Sequence, residues 1–288
     1  MPAPRPGLAV ASFASMEALA SHRFDFERIG AELPVEVRPA LPAAHAAGVA
    51  VGQLLYKLRQ RLTPADVHQK GAADVVTAAD FAAEQLIVER LDKTPPGCRF
   101  LLEEQGSRPG DSEWAWVADP LDGTANYVTG RSIYCCSIAL CRDRTPYVGV
   151  IVAPALGLVY VAAKGGGAWL NGERIHVSAV ADPAQAFITT GMAAGRPGPL
   201  AAHPFGAHIR CYGSCALELA DVAAGRSDAH VQLGLNPWDM AAGALMVLEA
   251  GGCVSEPDGS PFRNEADIAA ANAALHGALI ARLQRGAG

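Results

Sequence analysis

No apolar run in the 288-residue sequence approaches the ~20 residues that a bilayer-spanning helix needs. A membrane is therefore not expected as a partner. Basic residues are also short: 23 Lys and Arg against 29 Asp and Glu give a net charge of −6 and a pI near 5.7. That balance lacks the electrostatic footprint of a nucleic-acid binder. A locally acidic pocket would instead recruit a cation first and a phosphate after it. None of the seven cysteines is spaced as C-x-x-C. Cys135, Cys136 and Cys141 fall in or beside a β-like run, which predicts buried thiols, a reducing compartment and a cytoplasmic setting. The glycines at 165–167 lack the Gly-Lys-Ser/Thr ending of a phosphate loop, and a tight hairpin accounts for them.

Half of the residues are hydrophobic and 18% are charged, enough for a sizeable core in one large domain or two packed lobes. Residues 1–34 read as an N-terminal extension, partly disordered, with a Pro-rich start and one helix. Glu17, Ser12 and Ser15 break the pattern that a secretion signal would require. The remainder, 35–288, reads as a single unit with lobes at about 35–180 and 181–288.

Along that unit, apolar residues at helical spacing run from Ala47 to Leu62, and a second amphipathic segment covers 81–91. Residues 133–170 alternate strand-like runs with Gly, Pro and Asn-Gly turns, an antiparallel meander. Further strands are expected at 187–190, 208–212 and 229–233, a loop at 193–207, and helices at 213–224 and 240–250. The tail reads as a short helix, a strand at 275–277 and a last helix.

The chemistry concentrates in WVADPLDGTANYVTG, residues 116–130. The apolar run 114–118 predicts a buried strand that stops at Asp119. Pro120 fixes its own φ and Gly123 permits a bend, so Asp119 and Asp122 can converge. Two carboxylates that close repel unless a proton or cation lies between them. Hard oxygen ligands favour Mg²⁺, which is usually bound by a few carboxylates together with substrate phosphate. The same residues are also good turn formers, with Asp side chains bonding their own backbone. Oxygen spacing and the closing Glu do not fit an EF-hand. Elsewhere, Glu103-Glu104 ends an apolar strand at 99–102, while Asp80 and Asp239 each open an apolar helix. Taken singly, Asp80 or Thr77 is a helix cap.

Five segments, DVVTAAD (74–80), LLEEQG (101–106), the stretch 116–130, GSCALELADVAAG (213–225) and PWDMAAGALMVLEAGG (237–252), together resemble the inositol monophosphatase family. Order and spacing match from about residue 35 to the end. The resemblance implies an α/β (α+β) fold, a layered α-β-α-β-α sandwich of the inositol monophosphatase/fructose bisphosphatase type. It also implies two or three Mg²⁺ ions, lithium sensitivity and a homodimer. By position, Glu103, Asp119 and the Leu121 carbonyl would bind a first metal, Asp119, Asp122 and Asp239 a second, with a weaker third near Glu103. Asp80 and Thr124 would orient and deprotonate the attacking water. Backbone N–H groups of Gly123, Thr124 and Ala125 would hold the phosphate, Gly213, Ser214 and Cys215 would line the substrate, and Glu104 would stand behind the ligands.

Gln232 occupies the position where inositol-specific members carry an acid. It accepts a hydrogen bond but also donates one and bears no charge. The segment 191–210 looks shorter than usual, which bears on the pocket rim and the dimer contact. The expected activity is hydrolysis of a small polyol phosphate such as myo-inositol 1-phosphate. Histidinol phosphate is the nearest alternative, and a regulatory interaction protein with incidental phosphatase activity is another. No Arg/Lys cluster for a second phosphate stands near the motifs, which disfavours fructose 1,6-bisphosphate.

Overall fold

The computed structural model describes residues 16–71, 74–193, 196–197, 205 and 208–286. The Pro-rich start and most of the 193–207 loop lie outside the described residues, as does much of the segment expected to be short. Helices α1 (Met16–Ser21), α2 (Phe26–Ile29) and α3 (Ala40–Arg59) come first. The hairpin of β1 (Val67–Gly71) and β2 (Asp74–Thr77) leads into α4 (Ala78–Leu91).

Strands β3 (Arg99–Leu102), β4 (Gly106–Arg108), β5 (Trp114–Asp122), β6 (Cys135–Arg142), β7 (Thr145–Ala153), β8 (Leu158–Ala163), β9 (Gly167–Leu170) and β10 (Glu173–Ile175) build one sheet. Its order is β10-β9-β8-β7-β6-β5-β3-β4, and the short α5 (Thr124–Val128) lies between β5 and β6. The remaining elements are β11 (Phe187–Thr190), β12 (Met192–Ala193), β13 (Arg196–Pro197), β14 (His208–Arg210), α6 (Cys215–Ala223), β15 (Ala229–Gln232), α7 (Pro237–Glu249), β16 (Gly252–Ser255), β17 (Ile268–Asn272) and α8 (His276–Gly286). A second sheet runs β14-β11-β15-β17-β16.

These elements stack in five layers. Helices α3 and α4 pack on one face of the large sheet, and α6 and α7 on the other. The second sheet covers the far side of α6 and α7, and α8 closes its outer face. Strands buried on both faces read as near-continuous apolar runs. That is why β6 and β7 look so uniformly hydrophobic. The expected sandwich is the one observed.

The chain from Met16 onward packs as part of this body. Leu19, Ile29, Leu33 and Val37 are buried, and the Arg28 guanidinium lies 5.4 Å from the Trp169 ring centroid. Gly166 sits so close beneath that a Cβ there would be 1.9 Å from the Ile29 carbonyl oxygen.

Two expectations need correction. Strand β5 does not stop at Asp119. It pairs with β6 at Asp119 and again at Asp122, across an irregularity in register. Pro120 is tolerated there because an irregular position requires no ladder N–H. In the tail, the alanine-rich residues 268–272 form β17 between β15 and β16, while 275–277 leads into α8. Alanine leaves little sequence signal for a strand, yet its size lets layers approach both faces.

Candidate active site

Strands β3 and β5 are parallel neighbours, so their C-terminal ends meet at one edge of the sheet. Glu103 follows β3 directly, and Asp119 and Asp122 fall in the last four residues of β5. Helices α4, α6 and α7 also begin there, bringing Asp80, Ser214 and Asp239. Asp119 is close enough to Glu103 for a carboxyl–carboxyl hydrogen bond, and it feels the charges of Asp122 and Asp239. Though scattered along the sequence, Glu103, Asp119, Asp122 and Asp239 form one group, and Asp80 is linked to it through the Thr124 hydroxyl.

Local structure ties down one oxygen of each aspartate. Asp80 and Asp239 both sit at the third position of a helix and accept from the backbone N–H of the cap residue. Thr77 N–H donates to Asp80 Oδ2 at 2.8 Å and Asn236 N–H to Asp239 Oδ2 at 2.6 Å. Asp119 Oδ1 accepts from Leu121 N–H at 2.8 Å. Asp122 Oδ2 accepts from Ser214 Oγ at 2.7 Å and from Ala216 N–H at 2.8 Å. Each carboxylate is thereby oriented, with its second oxygen directed by the first.

Burial and mutual repulsion raise the pKa values of this group. Burial lifts the Asp119 carboxyl well above the ordinary range, and the charge of Glu103 adds to it. Asp122 is raised to about 6 by burial, with the Ser214 and Ala216 donors holding it lower. Asp239, whose edge still meets solvent, is raised to about 7, again chiefly by burial. Buried acids with no cationic side chain among those causes are strained as anions. Hard oxygen donors in this state fit a divalent cation such as Mg²⁺, which would relieve the repulsion.

The Thr124 hydroxyl has one proton and two acceptors, the Leu121 carbonyl at 2.9 Å and Asp80 Oδ1 at 3.2 Å. Gly123 precedes it with φ +91°, a left-handed conformation that favours glycine. A Cβ there would also come within 2.9 Å of the Ile133 carbonyl oxygen. Gly123 and Thr124 lead directly into Ala125 on α5. Gly213 is close at hand too, since Asn126 Nδ2 on α5 donates to the Tyr212 carbonyl at 2.7 Å and the Ile133 carbonyl at 2.8 Å. Ser214 joins the carboxylate group through Asp122. The Cys215 thiol lies 3.7 Å from His230 Nε2. Gln232 ends β15, so tight against Gly191 that a Cβ on that glycine would overlap its amide.

Sequence reasoning missed Glu84 and Asn126. Glu84 is fully buried on α4 and accepts from the backbone N–H groups of Glu104 at 2.8 Å and Gln105 at 3.0 Å, fixing the turn that presents Glu103. Its signal was available: an acid four residues after Asp80, on the same helix face.

The profile of the inositol monophosphatase family matches residues 36–287. The chain belongs to that family. Among its relatives, inositol monophosphatase 2 of Solanum lycopersicum is 37% identical over 257 residues, covering 84% of this chain and 95% of the relative. The Pseudomonas aeruginosa Nus factor SuhB is 37% identical over 268 residues, covering 86% and 97%. The solved structure of inositol monophosphatase from Anabaena superposes with a TM-score of 0.77 at 33% identity, covering 86% of this chain and 96% of that one. The inositol monophosphatase fold and a phosphoric monoester hydrolase activity follow for this chain. Residues 1–35 lie outside the family match, although those from Met16 pack as part of the fold.

Proposed function

We propose that this phosphatase hydrolyses a small polyol phosphate, typified by myo-inositol 1-phosphate, with Mg²⁺ as its cofactor. The observation that carries the reading is the group Glu103, Asp119, Asp122 and Asp239, strained by burial and repulsion until a cation is added. In this assignment Glu103, Asp119 and the Leu121 carbonyl hold one ion, and Asp119, Asp122 and Asp239 a second. A third, weaker ion belongs near Glu103. Bound Mg²⁺ supplies charge neutralisation for the phosphoryl group and a more acidic water.

The chain's own residues do the rest. Asp80, held by Thr77, keeps Oδ1 toward Thr124, and together they orient the attacking water and take its proton. Backbone N–H groups of Gly123, Thr124 and Ala125 bind the phosphate oxygens. Gly213, Ser214 and Gln232 face the alcohol portion. Because Gln232 is uncharged, it favours a hydroxyl over an amine only weakly, and histidinol phosphate stays the nearest alternative substrate.

The test is phosphate release with Mg²⁺ from inositol 1-phosphate, histidinol phosphate and fructose 1,6-bisphosphate, with Asp119→Asn as the blank. Preference for inositol 1-phosphate is expected, with no turnover by the variant. Full activity of Asp119→Asn at saturating Mg²⁺ would sink the site assignment. Inhibition by lithium, a homodimer and a cytoplasmic setting follow from family likeness alone. Light scattering tests the homodimer. Relatives named Nus factor favour a second, regulatory reading. A cellular phenotype rescued by Asp119→Asn as well as by wild type would select it.

A further inference from the structure

Beneath the turn at 212–214 runs a chain of buried polar groups that the hydrolysis proposed above does not use. Glu218, in the first turn of α6, is 1% exposed, and His230 on β15 is fully buried. Glu218 Oε1 accepts from two backbone N–H groups, Tyr212 at 2.5 Å and Gly213 at 3.1 Å. His230 Nδ1 is hydrogen-bonded to Thr189 Oγ1 at 2.9 Å and lies 3.1 Å from Glu218 Oε2, a buried oxygen that makes no hydrogen bond of its own. Its Nε2 faces the Cys215 thiol at 3.7 Å.

Thiol, imidazole and carboxylate stand in the order of nucleophile, base and orienting acid. The thiol is nevertheless not poised to attack. Burial, then the charges of Asp122 and Asp239, keep it protonated. The array has a different use, which follows from what Glu218 holds. Gly213 adopts φ +77°, and immediately after it Ser214 Oγ and Ala216 N–H grip Asp122 Oδ2. On the opposite side, Asn126 ties the Tyr212 carbonyl to α5. The turn is therefore clamped from two sides, and its output is the orientation of Asp122.

We propose that Glu218 and His230 are positioning residues for the cation site: they fix the 212–214 turn, and the turn aims Asp122. The inference rests on the assignment of Asp122 to a cation. A buried carboxylate with two N–H donors on one oxygen is held by them, and the His230 imidazole, 3.1 Å from the other oxygen, is the polar side chain packed against it. Residues that orient a metal ligand typically change metal affinity about 10–100-fold when removed.

The test uses the full chain with Glu218→Ala, Glu218→Gln, His230→Leu and His230→Asn. Mg²⁺ binding to the metal-free protein is measured by titration calorimetry, beside the Mg²⁺ dependence of phosphate release. Glu218→Ala and His230→Leu are expected to bind Mg²⁺ about tenfold more weakly. Glu218→Gln keeps an acceptor for the two N–H groups, and His230→Asn keeps a donor near Nδ1, so both should recover most of that loss. Equal affinity in wild type and Glu218→Ala overturns the proposal, as does a Gln variant no better than Ala. Should Glu218→Ala fail to fold, the His230 pair decides on the same terms. Wild type that binds no Mg²⁺ overturns the proposal together with the cation site. Binding that follows the expected order without release from any tested substrate would sink only the substrate assignment.

Discussion

Protons and Mg²⁺ compete for the same oxygens in the proposed site, so the apparent Mg²⁺ affinity should fall steeply on acidification. The perturbation is pH, from 8 to 6. Asp239, with its carboxyl raised to about 7, goes from roughly nine-tenths ionised to one-tenth, a loss of about tenfold. Asp122, raised to about 6, goes from nearly full to half ionisation, about twofold more. Metal must displace both protons, so the two factors multiply to about twentyfold, or roughly 1.8 kcal/mol. Asp119, which burial and the charge of Glu103 also raise well above the ordinary range, pushes the loss in the same direction. Calorimetric titration with Mg²⁺ at pH 6.5, in two buffers of different ionisation enthalpy, should show about one proton or more released per site. An affinity unchanged between pH 8 and pH 6, with no proton release, would refute the reasoning.

Thr124→Ala removes the hydroxyl shared by Leu121 and Asp80, and kcat should fall about 10²-fold or more while Mg²⁺ affinity stays the same. A kcat near wild type would remove Thr124 from the proton path. Gly166→Ala drives a Cβ into the Ile29 carbonyl oxygen and should cost about 1–3 kcal/mol in urea unfolding, with residues 16–34 becoming protease-sensitive. Unchanged stability and protection would show that the N-terminal segment does not need that close approach. Burial lowers the His45 imidazole to about 4, with nearby His22 contributing. The unfolded chain therefore takes up this proton first. Stability is full above pH 6.5 and declines as pH falls toward 4, by about 3 kcal/mol at most. His45→Leu should flatten that limb, whereas parallel acid loss in both proteins would show that other groups cause it.

Much of the site was legible because its acids interrupt apolar patterns. Asp119 and Asp122 end a strand, Glu103 ends its neighbour, and Asp80 and Asp239 begin helices. Such interruptions are local, and local order is what a sequence displays. The N-terminal segment shows the opposite case. Leu19, Ile29 and Leu33 form only a weak pattern, because they are buried by contact with elements far along the chain. Alanine-rich β17 hid as a helix for the same reason. Its strand state comes from β15 and β16 on either side, since alanine itself has little preference for a strand.

The sequence by itself determined the family resemblance, and through it the expected layered fold, together with the set of carboxylates, since the order and spacing of motifs are written in one dimension. Only the tertiary structure decided which oxygen of each acid is tied, and by what. It also brought Glu84 behind Glu103, and Glu218 with His230 behind the turn that holds Asp122. Hydrogen bonds of that kind depend on angles and distances between layers. These arise only after burial has brought separate segments together.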